Sequence, residues 1–136
     1  SGLLLAEHIS CSPRVEQKSK SAEAIKRRPD DPHVISAVAS LFASERKHEK
    51  ARKWFERAAK LDSDLGDSWA KWYAFELDAG TEESQASVLQ SCIAADPKHG
   101  EIWCTVSKAM ANRGNATADN LRAAAQIVLG KLQKLN

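Results

Sequence analysis

Long apolar runs are missing from this chain of 136 residues, and no membrane partner is expected of it. No stretch approaches the roughly 18 to 20 apolar residues that cross a bilayer. The opening Leu3-Leu4-Leu5-Ala6 lacks the basic flank and the length of a secretory leader, so the sequence offers no export route. Cysteine is scarce and odd in number. Cys11, Cys92 and Cys104 show no Cys-x-x-Cys spacing and fit reduced thiols in the cytosol or nucleus. With only six glycines and four prolines there is little material for a low-complexity linker, and most of them fall between apolar-periodic segments. Sustained alternation of apolar and polar residues is absent as well, so no strand is expected.

Motifs for chemistry are equally scarce. The sequence holds no nucleophile elbow, phosphate loop or dinucleotide fingerprint. His99, Cys104 and Cys92 match no closed four-ligand zinc spacing, and Cys92 falls on an apolar helix face where cysteine behaves as a small hydrophobe. Asp62, Asp64 and Gly66 begin like a calcium loop, but Tyr73 stands where the closing glutamate would be; an inter-helix turn explains them better. Asn115-Ala116-Thr117 matches a glycosylation acceptor, which is a chance match without export. No cofactor, metal, small-molecule substrate or catalytic residue is expected.

What the chain does contain is itself, repeated. Trp69 and Trp103, Gly80 and Gly114, and Asp62 and Asp96 each lie 34 residues apart. That period marks a helical-hairpin solenoid, whose units cannot bury their apolar faces alone and must stack. One unit places Ile35, Val38, Ala39 and Phe42 on a first helix and Ala51, Phe55 and Ala58 on a second. The next gives Trp69, Trp72, Tyr73 and Glu76, then Gln85, Leu89 and Cys92, closed by Pro97. A third gives Trp103, Val106, Ser107 and Met110, followed by Leu121, Ala125, Val128 and Leu132 on a last helix. Leu4, Leu5, His8, Ala24 and Pro29 mark an earlier, incomplete unit. Within each helix the spacing is i, i+3, i+4, i+7.

The joints carry capping chemistry. Asp31 before Pro32 is an N-cap ahead of a residue suited to the first helical position, and Thr81 before Glu82 and Glu83 does the same with carboxylates at the positive end of the helix dipole. Eight helices are expected, at about 1–11, 18–28, 33–46, 49–61, 67–79, 82–95, 100–113 and 117–134, with Pro13 in the loop 12–17 interrupting the start. The expected fold is all-α, a right-handed alpha-alpha superhelix. It forms a single helical-repeat domain over 1–136, divided into an incomplete repeat 1–30, repeats 31–65 and 66–99, and a terminal capping repeat 100–136.

Two segments narrow the subtype. Ala51-Arg52-Lys53-Trp54-Phe55-Glu56-Arg57-Ala58 and the set Trp69, Tyr73, Phe75, Glu76 resemble the half-a-tetratricopeptide repeats of RNA-processing factors, with Gln85-Ala86 departing from the pattern. The strings Asp31-Pro32-His33, Asp62 to Trp69, Phe75-Glu76-Leu77, Gly80 to Glu83, and Pro97 to Lys108 resemble the C-terminal repeats of the pre-mRNA-processing factor six family, over roughly residues 18 to 130. These strings include turn residues that a generic repeat would not fix. The resemblance implies a non-catalytic scaffold of the spliceosomal tri-snRNP in the nucleus, holding snRNP proteins together. Ser1-Gly2 reads as an expression scar, and missing upstream repeats would make the chain a fragment.

The resemblance makes Ala51, Arg52, Phe55, Ala58, Trp69, Tyr73, Glu76 and Trp103 repeat-signature residues with structural roles. Trp72 is the aromatic expected to face a partner. Glu76 stands where other units have Phe42 or Met110, and reads as an intra-repeat hydrogen-bonding residue instead of an acid catalyst.

Charge supplies the alternative function, an RNA-binding helical-repeat module of another RNA-processing factor. Residues 1–60 carry 13 Lys and Arg against 8 Asp and Glu, a balance of +5, whereas residues 61–136 carry 7 against 10, a balance of −3. Lys26, Arg27 and Arg28, close to Lys18 and Lys20, are the candidate RNA contacts; Arg46, Lys47, Lys50, Arg52 and Lys53 form a second cluster. A solvated helix face interleaved with Glu45, Glu49 and Glu56 is the simpler reading. No aromatic interleaves residues 18–28 to stack on bases.

Overall fold

The computed structural model describes residues 23–108 and 116–135. Among them every regular element is helical: a short helical segment at 23–27, then α1 (Pro32–Ser44), α2 (His48–Leu61), α3 (Gly66–Ala79), α4 (Glu82–Ala95), α5 (Glu101–Lys108) and α6 (Thr117–Leu135). The expected first helix, the 12–17 loop with Pro13, and Leu4, Leu5, His8, Cys11, Lys18, Lys20, Met110, Gly114 and Asn115 lie outside the described residues, as does the side chain of Leu132. The chain divides into two compact units, Ser1–Asp62 and Ser63–Asn136.

In the first unit α1 and α2 form one hairpin. Asp31 caps α1 as its sequence suggests, accepting from the backbone N–H of His33 at 2.9 Å and of Val34 at 3.4 Å, with Pro32 at the first helical position. The helix ends at Ser44, two residues before the expected 46, because the chain closes there in a Schellman-type turn. Arg46 N–H donates to the Ala43 carbonyl, Lys47 N–H donates to that of Phe42, and Arg46 adopts the left-handed φ of 62°. On α2 only one stripe is buried, Ala51, Phe55, Ala58 and Ala59, and it meets Ile35, Val38 and their neighbours on α1. Ala24 of the 23–27 segment packs against Val34 and Ala37. Phe42, expected on the inner face, is only half-buried: it sits in the last turn of α1, with its ring 6.1 Å from that of Trp54.

The second unit packs α3 most extensively against α6, with α4 and α5 completing it. Its core takes Trp69, Ala70, Tyr73, Ala74 and Phe75 from α3, Trp103 and Val106 from α5, and Leu121, Ala124, Ala125 and Val128 from α6. On α4, Val88 and Cys92 are buried while Gln85 and Leu89 are half-buried, so Val88 joins the stripe read from sequence. Thr81 caps α4 in a reciprocal box: its hydroxyl accepts from Ser84 N–H at 3.2 Å, and Ser84 Oγ accepts from Thr81 N–H at 2.8 Å.

Candidate protein-interaction surface

The turn before α3 and the turn before α5 are held together across one repeat period. The Asp64 carbonyl accepts from the backbone N–H groups of Lys98 and His99, Gly66 N–H donates to the His99 carbonyl at 2.7 Å, and Leu65 and His99 form a single parallel bridge. Asp64 adds its side chain. One carboxylate oxygen accepts from Lys98 N–H at 3.0 Å and the other meets His99 Nε2 at 2.8 Å. The 34-residue spacing read from sequence is a physical register at this joint: Asp64 meets Lys98 and Leu65 meets His99, each one period apart.

Asp67 extends the joint. The residue preceding α5 is Gly100, which has no side chain with which to cap, and Asp67 does that work from α3. Its carboxylate accepts from Ile102 N–H at 3.2 Å and from Trp103 N–H at 2.8 Å, at the positive end of the α5 dipole. Gly100 must be glycine on two counts, since its φ is +121° and a Cβ there would overlap the Asp67 carboxylate. Gly66 serves the same joint, because a Cβ on it would run into the Trp103 indole. The strings from Asp62 to Trp69 and from Pro97 to Trp103 thus form the two halves of one contact.

The signature residues occupy defined places. Ala51, Phe55, Ala58, Trp69, Tyr73, Glu76 and Trp103 are buried, and Arg52 is half-buried. Trp69 donates its indole N–H to the Ser63 carbonyl at 2.9 Å. Glu76 is fully buried, and its carboxylate and the Ser84 hydroxyl occupy the space that a Cβ on Gly80 would need. Trp72 is half-buried and stacks on Trp69 with ring centroids 5.7 Å apart. Lys71, also on α3, has part of its surface exposed while protein atoms crowd its ammonium. Burial lowers its pKa below the usual lysine value, Asp67 opposes the shift, and Lys131 adds to it.

Outside the joint, the groups considered as metal ligands have other work. Cys92 is buried, and desolvation, with Asp96 nearby, pushes its thiol up to about 12. Cys104 Sγ donates to the Lys98 carbonyl at 3.6 Å. Among the described residues no group of three or more His, Cys, Asp or Glu could hold a metal ion, and no helix is long and apolar enough to cross a membrane.

Exposed cations cluster on two segments of the first unit. Lys26, Arg27 and Arg28 are all exposed, but Arg27 pairs with Glu23 at 2.7 Å, and Arg28 approaches Asp31 at 3.9 Å. On α2, opposite the buried stripe, Lys53, Glu56, Arg57, Lys60 and Leu61 line a shallow depression of about 400 Å³. In the sequence Lys53 belongs to a cationic cluster, and nothing there marks the depression. Arg57, Lys60 and Leu61 become its walls only once the stripe beginning at Ala51 turns inward.

No family model matches the chain. Among curated proteins it is similar to Pre-mRNA-processing factor 6 of Homo sapiens, with 53% identity over 112 residues, covering 82% of this chain and 12% of that protein. It is also similar to Protein STABILIZED1 of Arabidopsis thaliana, with 50% identity over 101 residues, 74% of this chain and 10% of that protein. Pre-mRNA-splicing factor prp1 of Schizosaccharomyces pombe is 35% identical over 113 residues, 83% of this chain and 12% of its own length. The chain thus spans about a tenth of the length of these relatives.

Proposed function

We propose, from the premise that this chain belongs to the pre-mRNA-processing factor 6 family over the segment they share, that it is a non-catalytic protein-interaction scaffold in nuclear pre-mRNA splicing. Its partners in this reading are protein components of the spliceosomal snRNPs, which it helps to bridge in the tri-snRNP. The observation that carries the reading is the 53% identity over 112 residues to a protein named for pre-mRNA processing. The packing supports it. The buried residues of both units are spent on hairpin cores and on the turn-to-turn joint, leaving helix faces and loops as the available working surface. The half-buried Trp72 is assigned a partner contact within this proposal.

A second reading, direct RNA binding, is favoured by the basic first 60 residues. Two of its three candidate contacts, Arg27 and Arg28, already face carboxylates, so they offer phosphate less than their count suggests. Reversing the charge of Lys26, Arg27 and Arg28 together separates the readings. Association with snRNP proteins should stay largely intact. If the parent binds RNA tightly at physiological salt and the triple change abolishes that binding alone, the RNA module replaces the scaffold.

A further inference from the structure

We infer that the outer face of α2 is a docking surface for an acidic segment of a partner protein that carries an apolar anchor such as leucine. The inference rests on the scaffold reading and specifies the chemistry of one partner. Lys53, Arg57 and Lys60 lie at i, i+4 and i+7, on one line along the helix, opposite the stripe that faces α1. One carboxylate, Glu56, shares the depression, and Lys60 holds it at 2.7 Å. With Lys60 paired to Glu56, the surplus positive charge of the depression rests on Lys53 and Arg57, one turn apart, which matches carboxylates carried at i and i+4 on a partner helix.

Arg57 is fixed in advance. Its guanidinium lies 5.3 Å over the Trp54 ring and donates to the Pro29 carbonyl at 3.1 Å. An arginine held in this way keeps further N–H donors for a carboxylate and loses little side-chain freedom when it binds one. Leu61 closes the depression with 39% of its surface exposed, one of the few large hydrophobic residues left so open among the described residues. An apolar wall beside Lys53, Arg57 and the Lys60–Glu56 pair suits an amphipathic acidic segment better than a phosphate backbone. Nucleic acid also lacks a stacking platform here: Trp54 has Arg57 over its ring and Phe42 alongside.

The test measures binding of the 136-residue chain to three fluorescent probes at physiological salt. These are a short acidic peptide with leucines at helical spacing, the same peptide with serine for leucine, and a uridine oligomer. The leucine peptide should bind roughly tenfold more tightly than the serine peptide, and Leu61→Ser should erase that preference. The double variant Lys53→Glu, Lys60→Glu should weaken the leucine peptide by roughly a hundredfold. Both positions are exposed and face away from the core, and a circular dichroism spectrum matching the parent verifies the fold. Unchanged peptide affinity in the double variant overturns the inference, as does tighter binding of the uridine oligomer, or a self-association that the double variant abolishes. If the double variant still captures snRNP proteins at the parental level with its peptide affinity unchanged, this surface fails and the scaffold reading stands.

Discussion

Trp69 concentrates much of the second unit's stability in one side chain. It is 5% exposed, stacked on Trp72 and hydrogen-bonded to the Ser63 carbonyl, so truncation removes a large buried surface and strands a carbonyl. Trp69→Ala should cost about 3 to 5 kcal/mol in chemical denaturation, comparable with a small domain's total stability; a variant indistinguishable from the parent would contradict the inward placement. Cysteine reactivity follows the same residue-level logic, because only a thiolate attacks disulfide reagents. With its pKa pushed up to about 12 by burial, Cys92 stays protonated at pH 8, whereas the half-buried Cys104 remains accessible. A Cys11→Ser chain should therefore label quickly at one thiol when native and at two in denaturant; fast labelling of both when native would show that Cys92 is not enclosed.

At the scale of elements, local signals were legible where a helix carries its own cap. Asp31-Pro32 and Thr81 to Ser84 start α1 and α4 with residues adjacent in sequence, and the structure uses both. The start of α5 was not legible in the same way, because its capping side chain comes from Asp67, a repeat earlier, while the residue before the helix is a glycine. The repeated tryptophans gave the register, but only the folded turns reveal that the Asp64 to Asp67 segment works on the Lys98 to Trp103 segment. Asp67→Ala leaves two helix-start N–H groups without their acceptor, one of them buried. It should destabilise the second unit by roughly 2 to 4 kcal/mol, with Asp67→Asn falling between it and the parent. Equal stability for all three proteins in urea titration would mean that the joint does not depend on this cap. Asp96, after the end of α4, makes a small pH-dependent contribution. The Lys98 hydrogen bond, and then that from Thr117, lower its pKa below 3.8, so its contribution is present above that value and is lost as pH falls through the lower folded value.

On the scale of the whole molecule, the 34-residue period makes the helical-hairpin fold legible in the sequence, and the turn strings point to the family. The interaction face was less so. Lys53, Arg57, Lys60 and Leu61 read in one dimension as part of a mixed charged helix, and only the inward turn of Ala51, Phe55 and Ala58 groups them on one side. The proposed work of this chain is to hold splicing proteins. The most direct measurement is affinity capture from nuclear extract with the 136-residue chain as bait, with and without nuclease, followed by quantitative mass spectrometry. The snRNP proteins should be enriched, and the enrichment should survive nuclease treatment. No enrichment over a scrambled-surface control, or enrichment that disappears with the RNA, would contradict it.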